Sequence, residues 1–129
     1  MGSAGPAKLM LLRSPPFMQR SQLLDIHDHL THRAFDVMQK KNHDYAAQAD
    51  PFFNLRQCEA FGLCSVEQGI LVRMTDKISR LSQFVKNREL KVADESIEDT
   101  LVDLVNYAVL LRAYLADKNP TACASKKSE

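Results

Sequence analysis

Acidic and amide side chains line one face of a predicted helix in the segment DESIEDTLVDLVNY, at Asp94–Tyr107. In it, Glu95, Asp99, Asp103 and Asn106 follow one another at spacings of four, four and three residues. Residues at these spacings share one face of an α-helix. Neighbouring carboxylates repel each other by roughly 0.2–0.5 kcal/mol per exposed pair. This face therefore requires a cation opposite it, which is either a metal ion or a basic side chain.

The preceding predicted helix carries basic side chains along one edge and a single acid near its apolar stripe. The stripe, which is expected to face the core, consists of Ile70, Leu71, Met74, Ile78, Leu81 and Val85. Arg73, Lys77 and Arg80 form the basic edge, with Asp76 among them. Glu67 projects into the stripe, and an acid that faces a helical core must be paired, protonated or bound to a metal. As an alternative, Glu67 is a first-turn acid that favours the helix dipole and bends out to water.

Two interpretations of these charges remain open. In the first, the basic edge packs against the acidic line of the next helix, and the two rows neutralise each other. In the second, the acids bind Mg²⁺ and the bases bind the phosphates of a nucleotide, because magnesium prefers carboxylates and bridges to phosphate oxygens. Spacing alone favours the first, since charge rows are common on helical bundles.

Composition limits the class of protein. The 129 residues suit one domain, and only 4 Gly, 5 Pro and no Trp favour a few long helices over a many-stranded sheet. The net charge of +1 predicts no broad nucleic-acid-binding surface. No apolar run approaches the ~18 residues of a membrane span. Three cysteines without a CxxC pair predict neither a disulfide framework nor a zinc site, so a cytoplasmic location is expected.

Helix signals divide the chain into four helical segments, and the expected fold is all-α, a small helical bundle of three long helices and one short helix with flexible termini. The first helix is expected from Ser21 to about Lys41, and the short helix from Asp50-Pro51 to Gly62. The third is expected from Val66 to about Asn87, after a capping box formed by Ser65 and Gln68. The fourth is expected from a cap at Ser96 or Asp94 to about Asp117. A disordered leader (1–20), a single all-α domain (21–117) and a disordered tail (118–129) are predicted.

Four blocks of sequence, in this order and spacing, resemble the nucleotide modification associated domain 1 family, found mainly in phages and bacteria. The blocks are KNHDY at Lys41–Tyr45, DPFFNLR at Asp50–Arg56, GILVRMTDKISRL at Gly69–Leu81, and DESIEDTLVDLVNYA at Asp94–Ala108. The resemblance implies an all-α fold and an association with nucleotide or DNA-base modification. The chain departs from the family at two positions: Ala46 replaces a usual glycine, and Leu55 replaces a common aromatic.

A more distant likeness is to the all-α nucleoside triphosphate pyrophosphohydrolases of the MazG and dimeric dUTPase type. Those enzymes hold Mg²⁺ between acidic motifs on two adjacent helices. Asp99 and Asp103, followed by LVNYAVLL, look like the second motif. Arg73 and Lys77 occupy places where the first motif would have further acids. The likeness therefore implies a single Mg²⁺, or no metal and basic residues that bind phosphate directly.

Three functional hypotheses follow. The first is a Mg²⁺-dependent nucleotide hydrolase, and the second is a non-catalytic nucleotide-binding or accessory module that uses the same basic edge. The third is a structural helical oligomer, and self-association is expected in any case because a small helical domain often buries a second face in this way. The candidate residues are Glu67, Asp99 and Asp103 for the metal; Asp76 and Asp103 for catalysis; and Tyr45, Asn54, Arg56, Arg73, Lys77, Arg80 and Asn106 for the substrate.

Overall fold

The computed structural model describes residues 17–44, 50–88 and 96–119 of the chain. These ranges contain four α-helices and no strand: α1 (Arg20–Asp44), α2 (Phe53–Ala60), α3 (Val66–Asn87) and α4 (Ile97–Lys118). The predicted all-α architecture of three long helices and one short helix is confirmed. None of these helices is long and apolar enough to cross a membrane.

The contacts within the chain define two compact units, Met1–Leu30 and Thr31–Glu129. In the first unit, the described residues start at Phe17, α1 begins at Arg20, and apolar side chains such as Leu23 and Ile26 are exposed. The second unit contains the rest of α1 and all of α2, α3 and α4. Most of the predicted leader (residues 1–16) and of the predicted tail (residues 120–129) lies outside the described residues, so both stay predictions.

Three helix boundaries differ from those expected. The first helix begins at Arg20, so Ser21, where it was expected to begin, lies in its first turn. The first helix continues to Asp44, three residues past Lys41, because Asn42, His43 and Asp44 include neither proline nor glycine to stop it. The short helix begins at Phe53, two residues after Pro51. Asp50 forms a turn before it, in which its Oδ1 accepts a hydrogen bond from the backbone N–H of Phe52.

The ends of the other helices agree with their sequence signals. Gly62, at φ 74°, follows α2 and permits the left-handed turn that closes it. At the start of α3, the Ser65 hydroxyl accepts the Gln68 N–H, and the Gln68 side chain accepts the Ser65 N–H. Ser96, rather than Asp94, caps α4 through the same reciprocal pair, with Asp99 in the place of Gln68.

The hydrophobic core lies where α2 packs against the α3–α4 pair. Its buried residues are Phe52, Val66, Ile70 and Tyr114, surrounded by the half-buried Leu55, Met74, Tyr107, Leu110 and Leu111. Gly69 permits the close approach of α2, because a Cβ there would lie 2.8 Å from a methyl carbon of Leu55. This packing fixes the two long helices side by side.

The α3 and α4 helices run antiparallel. Glu67, in the first turn of α3, contacts Lys118 at the end of α4, whereas Lys77 in the middle of α3 contacts Asp103 nearer the start of α4. The pair therefore has two ends that can be compared: one beside Ser96 and one beside Lys118.

Candidate functional site

Asp103 of α4 lies between two lysines from different helices. Its Oδ2 is 2.8 Å from Nζ of Lys77 on α3, and its Oδ1 is 3.7 Å from Nζ of Lys41 on α1. The side chains of Lys77 and Asp103 are only 11% and 21% exposed. Water screens such a pair less than it screens a surface ion pair, so the charges interact more strongly.

One turn earlier on α4, Arg33 of α1 contacts two acids. Its Nη2 donates a hydrogen bond to Oδ1 of Asp99. Its Nη1 lies 2.6 Å from Oε2 of Glu98 and forms an ion pair without hydrogen-bond geometry. We call these side chains together the acid–base cluster: Arg33, Lys41, Lys77, Glu98, Asp99 and Asp103.

A buried amide holds α1 against α4 beside this cluster. Asn106 is 9% exposed, and its Nδ2 donates a 3.0 Å hydrogen bond to the backbone oxygen of Ala34. Ala34 itself is buried. Asn106 was a predicted substrate-binding residue. In the structure, its amide N–H donates to α1 and positions this helix, which carries Arg33 and Lys41.

Asp99 has two roles in the structure. Hydrogen bonds from the side chain and backbone of Ser96, followed by the bond from Arg33, hold the pKa of Asp99 below its ordinary value. Its Oδ2 accepts the Ser96 N–H while its Oδ1 accepts from Arg33. Asp99 is therefore ionised at neutral pH, and a metal ion at Oδ1 would compete with Arg33 for this oxygen.

Further basic residues of α3 flank Lys77. Arg73 and Arg80 lie about one turn to either side of it. Arg80 pairs with Asp76 within the helix, with 3.3 Å between Nε and Oδ2. Asp76, the predicted water-orienting residue, is 56% exposed and lies on the same helix as these bases. The basic edge predicted from the sequence thus pairs with the acidic line of α4 through Lys77, and Arg80 also has a partner within its own helix.

The other end of the α3–α4 pair combines charges with aromatic rings. The rings of Phe52 and Tyr114 meet edge to face, with 5.4 Å between their centroids. Arg56 lies 5.6 Å from both centroids, and Nζ of Lys118 lies 5.3 Å from that of Tyr114. Arg56 also contacts Asp50 and Asp117. We call this group the aromatic end: Asp50, Phe52, Arg56, Glu67, Tyr114, Asp117 and Lys118.

The structure does not bring Glu67 to the other two predicted metal ligands. Glu67 pairs with Lys118 at 3.1 Å. Its own backbone N–H, then Lys118, lower the pKa of Glu67, and the same pair raises the pKa of Lys118. Lys118 and Asp99 are 19 residues apart on α4, or about 28 Å along the helix axis. Glu67 therefore belongs to the aromatic end.

The remaining predicted site residues are distributed over the chain. Arg56 lies at the aromatic end, and Asn54 is exposed on α2. Tyr45 lies outside the described residues. Within residues 17–44, 50–88 and 96–119, no group of three or more histidine, cysteine, aspartate or glutamate side chains could hold a metal ion. A Mg²⁺ bound through Asp99 and Asp103 stays a prediction.

Sequence reasoning missed the bases that α1 supplies to the cluster. Arg33 and Lys41 are eight residues apart and share one side of α1 with Ala34 and Val37. That spacing is the signal that could have found them, because the acidic line of α4 required cations opposite it. Glu98 was also missed, since it lies beside the line formed by Asp99 and Asp103 and not within it.

The fold and this cluster define a class: a small all-α protein in which three helices converge on paired acids and bases. Residues 41–112, more than half of the chain, match the family described as nucleotide modification associated domain 1. The chain belongs to this family, as its four sequence blocks predicted. The likeness to the MazG and dimeric dUTPase type is not confirmed. No curated protein and no solved structure matches the chain.

Proposed function

We propose that the acid–base cluster binds the phosphate groups of a nucleotide, and that the chain serves nucleotide or DNA-base modification as a nucleotide-binding protein. One observation carries this proposal. Lys77 of α3 and Lys41 of α1 converge on Asp103, and Arg73 and Arg80 flank Lys77 on the same helix. The family to which the chain belongs associates it with nucleotide chemistry.

The chemistry of the lysines supports a phosphate ligand. An ammonium group is a compact positive charge with three N–H donors, and phosphate oxygens accept hydrogen bonds from such donors. A phosphate carries more negative charge than a carboxylate and offers three acceptor oxygens. A phosphate can therefore bind beside Asp103 or exchange with it, while the helices that hold the lysines remain packed.

Thermal unfolding of the full chain tests the proposal. We expect nucleoside mono- and triphosphates to raise the melting temperature in a saturable way in the presence of EDTA, because the bases contact phosphate directly. The matching nucleosides should give no shift. Equal shifts with nucleosides, or none with any nucleotide, would contradict the proposal.

A pair of variants separates phosphate binding from support of the fold. We would combine Lys77→Met with Asp103→Leu, since replacing a half-buried ion pair by apolar residues of similar size is close to neutral for stability. The double variant should remain folded and lose the nucleotide-dependent shift. The matched control is Lys86→Met, which removes the same type of side chain nine residues further along α3, on the opposite face. If the double variant keeps the full shift, the cluster is not the binding site.

Mg²⁺-dependent hydrolysis of a nucleoside triphosphate is a second candidate function. Asp99 and Asp103 lie one turn apart on α4, and the lowered pKa of Asp99 keeps it ionised, as a metal ligand must be. In this proposal, Arg33, Lys41 and Lys77 turn from the carboxylates to the phosphates, and the freed Asp99 and Asp103 bind Mg²⁺.

Product analysis tests this second candidate. Each nucleoside triphosphate would be incubated with the protein and Mg²⁺, and monophosphate and pyrophosphate would be measured. Hydrolysis should be absent in EDTA and should fall by at least about 100-fold in Asp103→Asn. Equal product from wild type and Asp103→Asn would exclude Asp103 from the reaction. A nucleotide-dependent thermal shift without product would contradict hydrolysis and support nucleotide binding.

A further inference from the structure

An exposed apolar row runs along one side of α3. Leu71, Ile78 and Val85 are spaced by seven residues and are 51%, 52% and 65% exposed. Sequence periodicity assigned them to the same buried stripe as Ile70, yet only Ile70 is buried. The row lies about 180° around α3 from Gly69, which packs against Leu55 of α2.

A matching row runs along α4. Leu101, Ala108 and Leu115 are also spaced by seven residues, and all three are exposed. They lie on the side of α4 opposite Asp103 and Asn106, which face α1. Both rows therefore lie on the side of the α3–α4 pair that faces away from α2 and from residues 33–41 of α1. We call the six residues the apolar face: Leu71, Ile78, Val85, Leu101, Ala108 and Leu115.

We infer that the apolar face binds a second copy of this chain. Each helix has 22 residues, so the two-helix side measures about 33 by 20 Å, or about 650 Å². Two copies that pair through it would bury about 1,300 Å² in total, which lies within the range of stable interfaces, about 1,200–2,000 Å².

The charge pattern also fits self-association. Thr75 and Ser82 continue the face between the apolar residues of α3, and neither is charged. Glu67 and Lys118 lie at one end, where they neutralise each other. A two-fold contact places each residue near the same patch of its copy, so a charged face would meet like charge. The α3 side of the face avoids this repulsion and matches the depletion of charge found at interface cores. Arg112 of α4 is exposed and lies at the edge of the face.

The mass of the full chain in solution tests the inference, measured by sedimentation or by light scattering at micromolar concentration. Wild type should have twice the mass of one chain, and Ile78→Glu should have the mass of one chain. The control is Val72→Glu, a change to the same charged residue at an apolar α3 side chain that is 65% exposed and lies outside the face. It should keep the dimer.

Circular dichroism would show that each variant keeps its helices. A second measurement tests for recovery of the dimer instead of its loss. The double variant Ile78→Glu/Leu101→Glu would be mixed with Ile78→Lys/Leu101→Lys. The mixture should have the dimeric mass, because opposite charges would then meet across the interface. A monomeric wild type would overturn the inference, whether another segment of the chain or a different protein covers the face. So would an Ile78→Glu variant that remains dimeric.

Discussion

The two ends of the α3–α4 pair hold similar charges in different surroundings. At the aromatic end, Arg56 and Lys118 lie over the rings of Phe52 and Tyr114, which are part of the core. In the acid–base cluster, the charged groups contact one another, Arg33 with Asp99 and Lys77 with Asp103. The same residue types therefore pack on aromatic rings at one end and form ion pairs with one another at the other. Substitutions should affect stability most at the first and ligand response most at the second.

The largest expected effect is at the aromatic end. Tyr114→Ala removes a ring that is 3% exposed and contacts Phe52, Arg56 and Lys118. We expect a loss of about 3–5 kcal/mol of unfolding free energy, measured by urea denaturation. Val109→Ala, at an exposed position of the same helix, should cost about 0.5 kcal/mol or less. Similar losses for the two variants would mean that Tyr114 is not central to the core.

Within the cluster, a double-mutant cycle should show smaller and non-additive losses. Lys77→Met and Asp103→Leu should each cost about 1–3 kcal/mol, because each leaves a half-buried charge short of its partner. The double variant should cost less than the sum of the two. Denaturation of the four proteins measures the coupling between the residues. Additive losses would show that the 2.8 Å contact between Lys77 and Asp103 contributes nothing to stability.

The N-terminal caps of α3 and α4 should contribute similar amounts to the free energy of unfolding. Ser65→Ala at the start of α3 and Ser96→Ala at the start of α4 each remove the hydroxyl of a complete capping box. Each should lower the unfolding free energy by about 1 kcal/mol, measured under the same conditions. A loss at Ser96 several times that at Ser65 would mean that the Ser96 hydroxyl also supports the cluster through Asp99.

Acidic pH should slightly lower the free energy of unfolding through one carboxylate at each end of the pair. The pKa values of Asp99 and Glu67 are lower in the folded chain than their ordinary values. Their contribution to stability is complete above the unfolded pKa, about 4, and is lost as pH falls through the lower folded pKa. Unfolding followed from neutral pH into acid should show this decline. Asp99→Asn and Glu67→Gln should each make stability depend less on pH. An unchanged pH dependence in both variants would contradict the role of these two carboxylates in acid sensitivity.

The sequence predicted the helices well because their signals are local. The Ser65–Gln68 box, Gly62 and the apolar spacing of α3 are each readable within a few residues. Only part of the acid–base cluster was predicted from the sequence. Asp99 and Asp103 were found, but their partners Arg33 and Lys41 were missed, because these lie more than 60 residues earlier in the chain. Periodicity also could not divide α3 between a side that contacts α4 and the exposed side at Ile78. That division depends on tertiary packing.

Amide chemical shifts measured by NMR during titration with a nucleoside monophosphate, without metal, compare the two ends within one molecule. If the cluster binds phosphate, the largest shifts fall around Arg33, Lys77 and Asp103, and the amides around Arg56 and Tyr114 change little. Shifts concentrated around Arg56 and Tyr114, or no saturable shifts at all, would contradict the assignment of nucleotide binding to the acid–base cluster.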